Sequence, residues 1–251
     1  MSRVDFRTPR LFVEEPIAAG RTLGLSGARA NYLLNVLRLK AGDAVLLFNG
    51  RDGEWRAGLR SGRKGAVLEA TEQSRAQTAA GDLEYLFAPL KHARLDYVVQ
   101  KAVEMGVSRL RPVLTRHTQV RRVNLARMRA NAIEAAEQCG ILNVPEIAEP
   151  AALDALAAGW TPDRLLVFCD EEAEVADPVA ALSPARPGGL MGAQPISVLI
   201  GPEGGFAEEE RAALRALPNM IALALGPRVL RADTAAVAAL ALVQAVLGDW
   251  R

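Results

Sequence analysis

The chain has 251 residues, half of them apolar, 24% charged and 5% aromatic. That length and balance allow one large domain or two ordinary ones around a real hydrophobic core, and exclude fibrous, collagenous and disordered chains. The net charge of +1 hides a split, because residues 1–129 hold 23 Lys/Arg against 12 Asp/Glu while residues 130–251 hold 7 against 17.

The polar start MSRVDFRTPR has no signal-peptide pattern. Residues 1–75 read as a small β-rich module. Leu11-Phe12-Val13 is a short strand candidate and Ala44 to Phe48 a stronger one. Asn49-Gly50-Arg51-Asp52-Gly53 follows as a hairpin turn, with Glu54 to Leu59 returning and Ala66 to Ala70 as a further strand. A helical stretch is expected over Ala28 to Leu37. The polar residues 71–82 read as a linker. From residue 83 strands alternate with helices. Tyr85 to Ala88, Leu110 to Leu114, Leu165 to Phe168, Ile196 to Ile200 and Met220 to Leu225 read as strands. Helices are expected over Arg94 to Met105, Leu125 to Gln138, Ala151 to Ala158, Glu208 to Leu217 and Thr234 to Leu247, and residues 183–195 as a loop. This alternation predicts an α/β domain with a mainly parallel sheet. The longest nearly apolar stretch, Ala235 to Leu247, is too short to span a bilayer, so a soluble cytoplasmic protein is expected.

Two cysteines, Cys139 and Cys169, and two histidines, His92 and His117, supply too few ligands for a disulfide framework or a four-ligand zinc site, and no metal is expected. The basic residues are densest from Lys91 to Arg129, ten of them against Asp96 and Glu104. Arginine forks suit phosphate, so this run points either to a nucleic acid or to a solvated face pairing with the acidic half. Two loops after buried strands are the places for chemistry. Gly201-Pro202-Glu203-Gly204-Gly205-Phe206 places a carboxylate inside a three-glycine loop, and it is neither a Walker A motif nor GxGxxG. Leu225 to Thr234, LGPRVLRADT, carries Arg231 just before the last helix, with Asp233 or Thr234 as its expected N-cap. Arg231 there either pairs with a carboxylate or holds an anion.

IGPEGGF followed by LGPRVLRADTA resembles the RsmE family, the 16S ribosomal RNA uridine-N3 methyltransferases of the knotted SPOUT superfamily. RLFVEE, NVLRLKAGDAVLLFNG, QKAVEMGVSRLRPVLT and EAAEQC…VPEI match family blocks in family order, so the likeness covers nearly the whole chain. It implies an N-terminal PUA-like RNA-binding β-barrel over residues 1–72 and a SPOUT-type α/β domain over 80–251, tied in a trefoil knot that no pattern argument would yield. It implies S-adenosyl-L-methionine as cofactor, held by Leu199, Gly201, Glu203, Gly204, Leu225, Gly226, Leu230, Arg231 and Thr234, and a homodimer acting on 16S rRNA of the small subunit. Arg231 is the candidate stabiliser of a uracil imide anion. Glu203 is either the general base or a residue that shapes its loop. RNA contacts are expected from Arg10, Arg38, Lys40, Arg116, Arg121 and Arg122. The competing readings are a ribose 2′-O-methyltransferase and a non-catalytic ribosome-associated RNA-binding protein. The chain departs from the family pattern at Ile141, where an arginine is usual, at Ala207, where serine opens the next helix, and at Asp233 in place of Glu. Cys139 reads as a packing residue, and His92 and His117 as incidental.

Overall fold

A computed structural model describes residues 5–62, 65–174, 177–185 and 194–250. The chain divides into two units, 1–79 with 136–144, and 80–135 with 145–251.

The first unit is built on β1 (Arg10–Phe12), β2 (Thr22–Gly24), α1 (Gly27–Ala30), β3 (Ala44–Phe48), β4 (Glu54–Gly62) and β5 (Gly65–Arg75). A π-type turn, Asn31–Val36, continues α1 where one regular helix was expected. The strand order is β1-β3-β4-β5-β2, antiparallel except for β1 beside β3, and β1 and β2 are not joined among the described residues. The hairpin between β3 and β4 turns on Asn49, whose Oδ1 accepts from the N–H groups of Arg51 and Asp52. β3 is buried on both faces: Val45 and Leu47 join a core with Leu11, Leu33, Leu59 and Leu68, while Phe48 meets Phe12 edge to face at 5.6 Å. β5 runs through residues 71–75, part of the expected linker, because its polar end has partners. Arg75 lies opposite Glu54 and donates to both of its carboxylate oxygens at 3.0 and 2.7 Å. Arg10 donates to the same carboxylate at 2.9 Å, and Ser74 at 2.9 Å.

The second unit contains β6 (Leu83–Phe87), α2 (His92–Glu104), β7 (Arg109–Leu114), α3 (Leu125–Cys139, whose last turn falls in the first unit), β8 (Glu146–Ile147), β9 (Ala151–Ala152), α4 (Leu153–Ala158), β10 (Leu165–Cys169), α5 (Pro178–Leu182), β11 (Ile196–Ile200), α6 (Glu208–Arg215), β12 (Met220–Leu223) and α7 (Ala232–Val246). The order β12-β10-β11-β6-β7-β8, with β9 on β7, is parallel at every pairing. β6, β10 and β11 are buried along their whole length, the signature of a sheet covered on both faces. Leu86, Leu166, Phe168 and Leu199 turn one way and join Leu153 of α4 and Leu214 of α6 in one cluster. The alternate residues point the other way by the pleat, where α7 packs on β11 and α2. α7 is buried along Ala236, Ala239, Leu240, Val243 and Val246, and its other side is half-buried rather than enclosed. Its one buried polar residue, Gln244, donates to Met105 O at 2.6 Å at the end of α2.

Four short elements escaped the sequence reading. β2 has three residues and β8 and β9 two each, too few for periodicity to register. α5 has five and holds by its cap, Asp177 accepting from the N–H groups of Val179 and Ala180. Of the loop expected over 183–195, residues 183–185 form a single 3-10 turn and 186–193 lie outside the described residues. Cys139, expected to pack, is exposed.

The Glu54 cluster generates a prediction. Burial would raise the Glu54 carboxyl, but hydrogen bonds from Arg75, Ser74 and Arg10 outweigh it and hold the group below its ordinary 4.5. A carboxylate depressed in the folded state adds stability above its unfolded pKa and loses it as pH falls through the folded one. Glu54→Gln should therefore cost about 3 kcal/mol at pH 7 by leaving the buried Arg10 and the partly buried Arg75 short of charge. Urea denaturation of both proteins should show that gap narrowing as pH drops below 4.5.

Candidate functional site

Three adjacent strands of the second unit end level with one another. Cys169, the last residue of β10, lies opposite Ile200, the last of β11, and opposite Leu223, the last of β12. The chain leaves each end as a loop, and the loops enclose a cleft of about 550 Å³, a size suited to a nucleoside-scale ligand. Its walls come from Cys169, Asp170 and Glu171 after β10, Ile200 to Glu203 and Gly205 after β11, and Leu223 with Leu225 to Ala232 and Ala235 after β12.

The loop after β11 folds back on itself. Phe206 returns into the core, meets Phe168 edge to face at 5.0 Å, and lies so close over Gly201 that a side chain there would collide with its ring. Gly205 has φ +69°, and a Cβ on it would stand 2.8 Å from Glu171 Oε1. Glycine at these two positions is thus a steric requirement of the wall. Ala207 supplies no side-chain cap to α6, but Glu210 reaches back and accepts from the Ala207 N–H at 2.9 Å. Half of a capping box survives where the usual serine is missing.

Under the cleft lies a charged cluster. Asp170 is 1% exposed and accepts from Arg211 Nε at 3.2 Å and Arg215 Nη2 at 2.8 Å. Arg211 also reaches Glu171 and Glu172, both at 3.0 Å. The Cys169 thiol beside it is pushed up to about 12 by burial and by the Asp170 charge. It stays a neutral thiol at physiological pH and is no nucleophile.

Of the residues expected to hold a cofactor, Gly201, Glu203, Leu225, Gly226, Leu230 and Arg231 line this cleft together. Leu199 lies beneath it in the core. Gly204 faces away, against His117. Thr234 is exposed in the first turn of α7 and is not part of the lining. Arg231, not Asp233 or Thr234, is the N-cap residue of α7, and Asp233 bonds the next N–H instead. Arg231 is exposed and makes no ion pair among the described residues, so its guanidinium is free to meet a ligand. Glu203 pairs with Arg94 of α2 at 3.3 Å, both about half exposed. The walls contributed by Asp170 and Glu171 were missed by the sequence reading, although both follow directly on a buried apolar run, the position where ligands gather in parallel sheets.

Among the expected RNA contacts, Arg38 and Lys40 are exposed in the first unit. Arg10 is not available. Its side chain is 3% exposed and committed to Glu54, because a buried guanidinium needs a counter-charge. In the second unit Arg116 is exposed and lies 3.4 Å from Glu209. Arg121 and Arg122 are exposed, with no ion pair among the described residues.

A family model described as RNA methyltransferase domain matches residues 77–244, and one described as RNA methyltransferase PUA domain matches residues 25–70. The ribosomal RNA small subunit methyltransferase E of Rickettsia conorii is 29% identical over 94% of this chain and 94% of its own length. The protein of that name from Neisseria gonorrhoeae, solved bound to S-adenosyl methionine, superposes with a TM-score of 0.82 at 26% identity, over 98% of this chain and 100% of its own. A Legionella pneumophila protein solved in complex with the bound cofactor SAM gives 0.80 at 28% identity, over 95% and 98%. The α/β domain with a parallel sheet and the PUA-like first unit expected from the sequence are both present. The chain belongs to the RNA methyltransferase family, and its near full-length relatives are named as methyltransferases of small-subunit ribosomal RNA.

Proposed function

We propose that this protein methylates N3 of a uracil in 16S ribosomal RNA of the small subunit, with S-adenosyl-L-methionine as the methyl donor. The observation that carries this reading is the cleft in which the GPEGGF and LGPRVLRADT loops meet, with the unpaired Arg231 on its rim.

The cleft residues fit the donor. Leu225, Leu230, Ile200 and Ala235 offer apolar walls for a base. Glu171 and Glu203 place carboxylates where a cationic ligand gains from them, and Arg228 and Arg231 can meet a carboxylate. When bound, the donor supplies a methyl group on a positively charged sulfonium. N3 of uracil carries a proton and attacks only as that proton leaves, so charge builds on the two flanking oxygens. Arg231 is the group placed to stabilise that charge. Glu203 is the carboxylate of the same cleft able to accept the proton, and Arg94 fixes its direction. Alignment of N3 with the methyl supplies the rest. The uracil must be unpaired or flipped, because N3 is buried in a Watson–Crick pair.

The first unit acts in this reading as the RNA-binding module, about residues 1–72, with Arg38 and Lys40 on its surface. The domain over 80–251 acts as the catalytic one, its loops after β11 and β12 threaded as a trefoil knot. A homodimer is supported by α7, whose half-buried apolar side calls for cover. No helix among the described residues is long and apolar enough to cross a membrane, and a ribosomal substrate places the enzyme in the cytoplasm.

The deciding experiment incubates small subunits lacking the modification with the protein and methyl-labelled donor, then maps reverse-transcriptase stops. A strong new stop at one uridine with label incorporated is expected, since an N3 methyl blocks pairing. Label without such a stop would replace this reading with ribose methylation, and neither signal would leave an RNA-binding protein. Arg231→Ala should lower kcat about 100-fold, the scale of losing one donor to a developing anion. Glu203→Gln should lower kcat about 100-fold with the KM for the donor little changed, whereas a purely loop-shaping role would raise that KM instead. Arg121→Glu with Arg122→Glu should weaken RNA binding and flatten its dependence on salt, read from affinities at several ionic strengths.

A further inference from the structure

The segment from Thr115 to Thr118, between β7 and α3, is a closed turn. Thr115 and Thr118 are buried, 4% and 5% exposed. The Thr115 N–H donates to Thr118 Oγ1 at 2.8 Å, the two hydroxyls are 2.9 Å apart, and the Thr118 N–H donates to Thr115 O at 3.2 Å. The two residues between them reach the loop after β11. The Arg116 N–H donates to Glu210 Oε1 at 2.8 Å, while Glu210 Oε2 holds the Ala207 N–H. His117 Nδ1 lies 3.1 Å from Gly204 O and 3.1 Å from Gly205 O. Both partners are acceptors, so Nδ1 carries the proton and donates. A side chain on Gly204 would begin 3.3 Å from His117 Cβ, so the histidine occupies the space that this glycine leaves.

We propose that His117 is a positioning residue for the ligand cleft: by donating to the Gly204 and Gly205 carbonyls it fixes the peptide planes of the glycine loop that forms one cleft wall. Two consecutive glycines rotate their peptides easily, and Gly205 already sits at positive φ. In a trans peptide the C=O and N–H point opposite ways. Holding the Gly205 carbonyl toward His117 therefore sends the Phe206 N–H the other way, and holding the Gly204 carbonyl leaves the Gly205 N–H on Pro202 O at 2.9 Å. Glu203 belongs to the same loop and inherits its orientation. The imidazole thus joins the turn that leads into Arg121 and Arg122 to the wall that carries Glu203. Its consequence for catalysis rests on the proposed methyl transfer, whereas its consequence for loop order does not.

The test compares His117→Ala, His117→Asn and His117→Gln in the full-length protein. Asparagine places an amide N–H close to the position of Nδ1–H, and glutamine places it one bond farther out. Amide exchange at Gly205 and Phe206, followed by NMR without ligand, should quicken in the Ala and Gln variants and return to the wild-type rate in Asn. The Kd for S-adenosylmethionine, by calorimetry, should rise about fivefold in His117→Ala, the effect of one net hydrogen bond, and stay within about twofold in His117→Asn. The melting temperature should fall by only about 2–4 °C in His117→Ala, the scale of one net hydrogen bond in a chain of this size. Unchanged exchange in His117→Ala, or equal effects in Ala and Asn, would overturn the proposal. Should the wild type bind no donor, the proposed function falls while the exchange measurement still decides the role of His117.

Discussion

Parallel pairing of β10 with β11 and β12 in one register governs where this protein can hold a ligand. Because Cys169 lies opposite both Ile200 and Leu223, three chain exits open at one level. Each exit must turn away from a sheet that is buried on both faces, and a turn made there exposes backbone groups that a strand would have paired. The cleft is the space those three turns leave. Everything else about the site follows from how each loop is kept from collapsing into it.

Two devices keep it open. Phe206 returns to the core beside Phe168 and pins the loop after β11 from below, at the cost of requiring glycine at 201. Asp170 turns under the loop after β10, fully buried and balanced by Arg211 and Arg215. A buried carboxylate is tolerated only with such partners, and removing both arginines would strand the Asp170 charge inside the protein. The neutral thiol of Cys169 in the same floor offers the cleft no thiolate nucleophile. That suits a reaction in which one bound molecule attacks another and the protein orients, holds and stabilises.

Long periodic elements were legible in the sequence, and short or contact-made ones were not. Ile196 to Ile200 was read with its bounds, and Glu208 to Leu217 within two residues of the observed Glu208–Arg215, because buried runs and acidic first turns are local signals. The last helix starts at Ala232 rather than Thr234, since its cap is set by the loop before it and not by the strongest capping side chain. Residues 71–75 looked like linker and are strand, because what holds them is Glu54 on the neighbouring strand. Both chemistry-bearing loops were visible as glycine-rich breaks after apolar strands. Asp170 and Glu171 were not, because nothing in the sequence CDEE shows that β10 lies between the other two strands.

Charge shows the same limit with a larger consequence. The composition places seven arginines between residues 109 and 129, a run that suggests a broad basic face. Folding consumes much of it. Arg109 pairs with Glu146, Arg111 with Glu84, Arg116 with Glu209 and Arg127 with Asp96. Glu84 is itself buried between Arg111 and Ser197, so that arginine serves the sheet. Most of these acids belong to the acidic half of the chain or to the sheet, and so the asymmetry between the halves is partly an internal complementarity. Arg121 and Arg122 stand outside it, beyond the turn that His117 fastens to the glycine loop. An RNA backbone would meet only the arginines the fold has left unneutralised, so the number of phosphates this unit engages should follow those few residues and not the composition.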